Sequence, residues 1–87
     1  MSTEQDLLAV TDAPTDRSTA VLDVRELPPP QPLTATLERL ADLDDETVLL
    51  QLNDRAPQHL YPKLTDRGFT YSTETADDAT VTAIWRE

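Results

Sequence analysis

Cysteine is absent from the 87-residue chain. That excludes disulfides, thiolate metal sites, cysteine nucleophiles and persulfide carriage, and leaves the redox compartment undetermined. Glycine is almost as scarce. Gly68 alone cannot build a glycine-rich phosphate loop, and no local serine or cysteine nucleophile motif accompanies it. Positive charge is thin: Lys63 is the only lysine, beside six arginines, against 17 acidic residues, for a formal net charge of -10. Binding a duplex requires basic groups that displace condensed counterions, so this balance points away from nucleic acid. No apolar run approaches the ~20 residues of a membrane span, and the first residues lack a basic region followed by an apolar core. The expectation is a soluble cytoplasmic protein with no membrane partner.

What is present bounds the rest. A domain of this length has one modest core and buries about 60% of its unfolded surface, so its stability is marginal. Acid spread along the whole chain, with little lysine and abundant threonine, is the pattern of a halophilic, archaeal-type acidic protein from a salt-saturated cytoplasm. Charge then reflects solvent. At molar salt the Debye length is about 3 Å, and the self-repulsion of a chain this acidic is largely screened.

Residues 1–18 mix Ser, Thr, Asp, Glu and Pro14 around one short apolar patch at 7–10, and read as a disordered acidic tail, with the domain over 19–87. The patch is either an unselected extension or a segment whose Leu7, Leu8 and Val10 dock on the domain or on a partner. A first strand is expected over 20–24. Pro28, Pro29, Pro30 and Pro32 then stop strand and helix alike while allowing a helix to begin. Leu33, Leu37, Leu40 and Ala41 recur at helical spacing, ending near 42–43. The alternation in 47–53 makes a second strand, with Val48, Leu50 and Leu52 on one face and Leu49 and Gln51 on the other. Asn53 and Asp54 offer capping oxygens and Pro57 suits a first helical turn, so a second helix carrying Leu60, Tyr61 and Leu64 is expected to run to Gly68. Pro62 requires either a kink in that helix or a start near Tyr61. Residues 69–75 and 80–86 form a terminal hairpin.

The order β-α-β-α-β-β gives an α/β chain of the α+β two-layer type, a mixed four-stranded sheet with two helices on one face. The second sheet face has no covering helix. Leu49 or Gln51, and one of Ile84 or Trp85, are therefore expected to be exposed or bound to something, unless Trp85 is simply core.

The run Leu22-Asp23-Val24-Arg25-Glu26-Leu27-Pro28-Pro29-Pro30-Gln31-Pro32-Leu33 resembles the strand, loop and helix start of the TusA/SirA-like sulfur carriers, whose persulfide cysteine sits just before the helix. Pro29 holds that place here, and Glu26 stands where the carriers have glycine. The chain is more similar to the domain-of-unknown-function 2249 family, a TusA-like branch sometimes fused to hemerythrin-type domains. Leu22, Asp23, Arg25, Leu27, Pro29, Pro30, Pro32 and Leu33 look like its first motif. Asn53, Asp54, Pro57, Leu60, Tyr61, Arg67, Gly68 and Phe69 look like its second, in which a His-Asp pair is replaced here by Arg55-Ala56.

The resemblance implies a TusA-like fold and a non-catalytic interaction or regulatory module, with no cofactor. Its docking loop would comprise Arg25, Leu27, Pro28, Pro29, Pro30 and Pro32, facing a protein partner. Asp23 and Arg25 are expected to pair with each other or with loop amides. The alternative is a small metal- or ligand-binding domain linked to redox metabolism, for which His59 and Asp54 are the candidates. A lone histidine with no cysteine does not complete a usual zinc site, and an exposed or capping His59 is the simpler expectation. The acidic pairs Asp44-Asp45 and Asp77-Asp78 fall in expected turns, where solvation accounts for them and no catalysis is expected.

Overall fold

The computed structural model describes residues 11, 13, 14, 16–76 and 79–86. The elements follow in the order β1 (Ser18–Asp23), α1 (Gln31–Asp42), β2 (Thr47–Asn53), α2 (Leu60–Asp66), β3 (Thr70–Ala76) and β4 (Ala79–Trp85). The sheet order is β1-β2-β4-β3. β1 pairs parallel with β2, while β4 runs antiparallel to both β2 and β3. This is the mixed four-stranded α+β sheet expected from the sequence.

Local chemistry sets the element boundaries. Pro32 sits in the first turn of α1, where a backbone N–H would have no helical acceptor, so the ring costs no hydrogen bond. Leu33, Thr36, Leu37 and Leu40 then fall on one face by their three- and four-residue spacing. Pro57 does not open α2. The turn before the helix is closed by the Gln58 N–H to Ala56 O (2.9 Å) and the Leu60 N–H to Pro57 O (2.9 Å), and the helix begins at Leu60. That start places Pro62 in the first turn, where it needs no kink. At the other end Gly68 adopts φ of 80°, the left-handed conformation that a Cβ disfavours, and the Phe69 N–H returns to Leu64 O at 3.0 Å.

Both helices pack on the same sheet face. Leu40 of α1 and Leu60 and Leu64 of α2 meet Leu49 and Ile84 there, with Leu33, Leu37, Leu22 and Tyr71 completing the cluster. Tyr61 stacks on Tyr71, ring centroids 4.4 Å apart and planes 2° from parallel, and its hydroxyl lies 2.6 Å from Thr73 Oγ1.

The burial of both sheet faces corrects the expectation that Leu49 or Gln51 is exposed and bears out the reading of Trp85 as core. Leu49, Gln51 and Ile84 lie beneath the helices and are fully buried, and Trp85 on the helix-free face is only 7% exposed. The pleat is the reason: Val48 and Leu50 of β2 share the helix-free face with Val81, Ala83 and Trp85 of β4, and that face is buried too. Within the segment assigned to the tail, Ala13 is buried against this face and Ser18 opens β1. Leu7, Leu8, Val10 and the Asp77-Asp78 pair lie outside the described residues. No described helix is long and apolar enough to cross a membrane.

Candidate functional site

The parallel pairing of β1 with β2 brings two distant stretches of sequence together. Asp23 at the end of β1 is in register with Leu52 near the end of β2, so the loops leaving both strands emerge side by side at the same edge of the sheet. Such carboxyl ends of adjacent parallel strands are where open α/β sheets place their ligands. The Val24 N–H donates to Leu52 O at 2.9 Å and holds the first loop beside the second strand.

Between the two loops lies a cleft of about 640 Å³. Leu27, Pro29, Pro30, Pro32 and Leu33 line it from the first loop and the start of α1. From the second loop come Asn53, Asp54, Arg55, Ala56, Pro57, Gln58, His59 and Leu60, and Gln51 lines it from within β2. The Pro29–Pro30 peptide is cis, and the first loop closes with the Leu27 N–H on Val24 O (3.1 Å) and the Gln31 N–H on Pro28 O (2.9 Å).

The deep part of the cleft is polar and satisfied. Gln51 Nε2 donates to Thr36 Oγ1 at 2.8 Å, and that hydroxyl donates back to Pro32 O at 2.7 Å. Asn53 Nδ2 donates to Gln51 Oε1 at 3.4 Å, while the Asp54 N–H donates to Asn53 Oδ1 at 2.8 Å. Gln51 and Thr36 are fully buried and Asn53 nearly so. This chain ties the first turn of α1 to β2 and to the second loop, and leaves no buried side-chain polar atom without a partner among the described residues.

The rim is different. Leu27 is 36% exposed, the one exposed large hydrophobic side chain among the described residues, and it stands in the cleft wall beside the prolines. Asp54, Arg55 and His59 are exposed, with Arg55 Nε 3.3 Å from Asp54 Oδ1.

Of the residues singled out in the sequence, Leu27, Pro29, Pro30, Pro32, Asn53, Asp54, Pro57, His59 and Leu60 converge on this cleft. Arg25, Pro28 and Tyr61 do not line it. Arg25 instead grips Asp23, with Nε 3.0 Å from Oδ1, Nη2 2.8 Å from Oδ2 and its own N–H 3.0 Å from Oδ1. The pair holds the Asp23 carboxyl below its ordinary value of 3.8, first through the Arg25 side-chain hydrogen bonds and then through the backbone one. Tyr61 is committed to Tyr71 and Thr73. His59 is the residue that precedes α2, and its side chain makes no capping hydrogen bond. No group of three or more potential metal ligands occurs among the described residues.

Sequence reasoning missed Gln51 as a lining residue and Thr36 as the side chain that holds it. Their signal was present: Gln51 shares the strand parity of buried Leu49 and Asn53, and Thr36 falls within the Leu33-Leu37-Leu40 stripe.

Comparison with curated proteins and with solved structures found no match. A family described as "Uncharacterized conserved protein (DUF2249)" matches residues 21–86, the span that runs from β1 through both cleft-forming loops to the end of β4, and the chain belongs to that family.

Proposed function

We propose that this chain is a non-catalytic, TusA-like interaction or regulatory module that receives a protein partner in the cleft between its two loops. The observation that carries the reading is Leu27: an exposed apolar side chain set among Pro29, Pro30 and Pro32. Buried anchors in well-defined pockets supply most of the energy of a protein interface. Prolines limit what the loop loses in entropy on being ordered by a partner. The position at which the sulfur carriers hold their cysteine is Pro29, which lines the cleft, so this end of the fold keeps a surface for docking without a thiol for transfer. The same reading takes the net charge of -10 as the mark of a halophilic protein working in the cytoplasm at high salt.

The test is capture of partners by the tagged chain from its own cell lysate at molar salt, run beside Leu27→Ser and Pro29→Ser/Pro30→Ser. A stoichiometric partner that is lost with both variants, while circular dichroism shows them folded, supports the module. A partner retained by both variants refutes this surface.

A second reading is favoured by the cleft volume, which lies within the ~300–1,000 Å³ of small-molecule sites. Here the cleft holds a small ligand or metal with redox-linked chemistry, and His59 and Asp54 supply protein donors. Titrating zinc, copper or iron into the protein while following the His59 ring resonances decides it. An unperturbed ring excludes direct ligation.

A further inference from the structure

The helix-free face of the sheet carries an apolar stripe on its two central strands: Val48 and Leu50 of β2 beside Val81, Ala83 and Trp85 of β4. All five are between 0% and 7% exposed. Val21 of β1, Leu52 of β2 and Ala76 of β3 pack against it and are partly buried, while Ser72 and Glu74 lie opposite Ala83 and Val81 on β3. Among the described residues, Ala13 is the one that packs on the stripe from outside the sheet, at 6% exposure. One methyl group covers little of a surface that includes an indole and four aliphatic side chains.

The rest of the cover has to be apolar, and the sequence restricts where it comes from. Outside the described residues, the scattered positions are Asp12, Thr15, Asp77, Asp78 and Glu87, all polar. The remaining stretch is 1–10, and it contains Leu7, Leu8 and Val10. We propose that this stretch docks on the helix-free face, its Leu7, Leu8 and Val10 covering the stripe that Ala13 begins to close. Geometry permits it. Val10 stands three residues from Ala13, within about 10 Å along the chain, and ten residues span up to ~35 Å. The four strands of the sheet are together only ~14 Å from first to last. Arg17, whose Nη1 donates to the backbone oxygen of Arg86, fixes the chain entering β1 next to the end of β4, the end at which Trp85 lies.

A second copy of the chain is the competing occupant, and one observation weighs against it. A stable protein interface needs about 800 Å² from each partner, whereas the five stripe residues are already only 0% to 7% exposed within a single chain.

Trp85 is the only tryptophan, which makes the cover directly readable. In the full chain at molar potassium chloride, nuclear Overhauser contacts are expected between the methyl groups of Leu7, Leu8 or Val10 and the Trp85 indole. In the variant Leu7→Ser/Leu8→Ser/Val10→Ser, Trp85 emission is expected to shift to the red and acrylamide quenching to rise several-fold. If that variant fails to fold, the contacts in the unaltered chain decide alone. Absence of those contacts overturns the proposal, as does a folded variant with unchanged quenching. Shielding of Trp85 that appears only at concentrations where sedimentation gives the mass of two chains overturns it in favour of the second copy.

Discussion

Replacing Thr36 with Val removes a hydroxyl and almost no volume from a fully buried position. That hydroxyl accepts from Gln51 Nε2 at 2.8 Å and donates to Pro32 O at 2.7 Å. Val restores neither bond, so an amide donor that water does not reach loses its partner. Leaving such a group unsatisfied costs about 1–3 kcal/mol, more than the about 1 kcal/mol net worth of an ordinary hydrogen bond. With a urea m-value near ~1 kcal/mol/M for a chain this small, the midpoint is expected to fall by about 1–3 M at unchanged slope. Trp85 fluorescence supplies the probe, in constant molar salt.

The double variant Thr36→Val/Gln51→Leu separates the orphaned amide from simple loss of contact. With both polar partners replaced by apolar groups of similar shape, the penalty for the unsatisfied amide disappears, and the double variant is expected to be more stable than Thr36→Val alone. Asn53 loses only its long bond to Gln51 Oε1, at 3.4 Å, and retains the Asp54 N–H at 2.8 Å. Two single losses that add to within ~0.5 kcal/mol would mean the residues are uncoupled, and would refute the account of a connected polar floor.

Three further outcomes are expected. Circular dichroism should show less ordered structure in dilute buffer than at molar potassium chloride, since the Debye length drops from about 10 Å at 0.1 M to about 3 Å at 1 M; a fully folded spectrum in dilute buffer counts against salt-dependent folding. Asp23→Asn should be less stable than the parent at neutral pH by a modest amount, because the pair with Arg25 is half-exposed, and the difference should shrink as pH falls. The sign follows from linkage: a carboxyl held below its ordinary value of 3.8 stabilises the fold above that value, and the contribution is lost as pH drops through the lowered one. A stability difference unchanged between neutral pH and pH 3 would contradict the pairing. Gly68→Ala should cost about 1 kcal/mol in urea unfolding, because an L-residue is strained at φ of 80°, and the new Cβ would also meet Arg86 Nη1 at 3.3 Å. A neutral result there would show that the turn relaxes.

The sequence carried the sheet because its signals are local. The 47–53 alternation is observed as β2 without change, and Pro30, Pro32 and Gly68 mark boundaries within a residue or two. Tertiary relations were less legible. Pro57 fits a helix start by local rules, yet α2 begins three residues later because the turn through Ala56 and Pro57 is closed by its own backbone bonds. Strand parity divides Leu49 and Gln51 from Val48 and Leu50, but it does not reveal which set the helices cover. That depends on where the crossover places α1: Leu49 and Gln51 lie on the covered face, against expectation, while Trp85 lies on the uncovered one and is core. The two motif segments were each readable. Their meeting in one cleft was not, since proximity across 20 to 30 residues arises from the β1–β2 register rather than from any residue in either loop.

That register also explains why the site is divided between stiff and polar components. The first loop leaves β1 at an edge of the sheet and packs little of itself, so prolines and the Asp23–Arg25 pair fix its course. The second loop leaves β2, a central strand flanked on both sides, and reaches the cleft already held by Asn53. Gln51 stands between them on the same strand, with Leu50 and Leu52 pointing to the opposite face. A partner side chain resting on Leu27 would therefore contact a wall whose position is set by the Thr36–Gln51 bond and Pro32. Loosening that bond would act on docking by moving the wall, without removing any residue the partner touches.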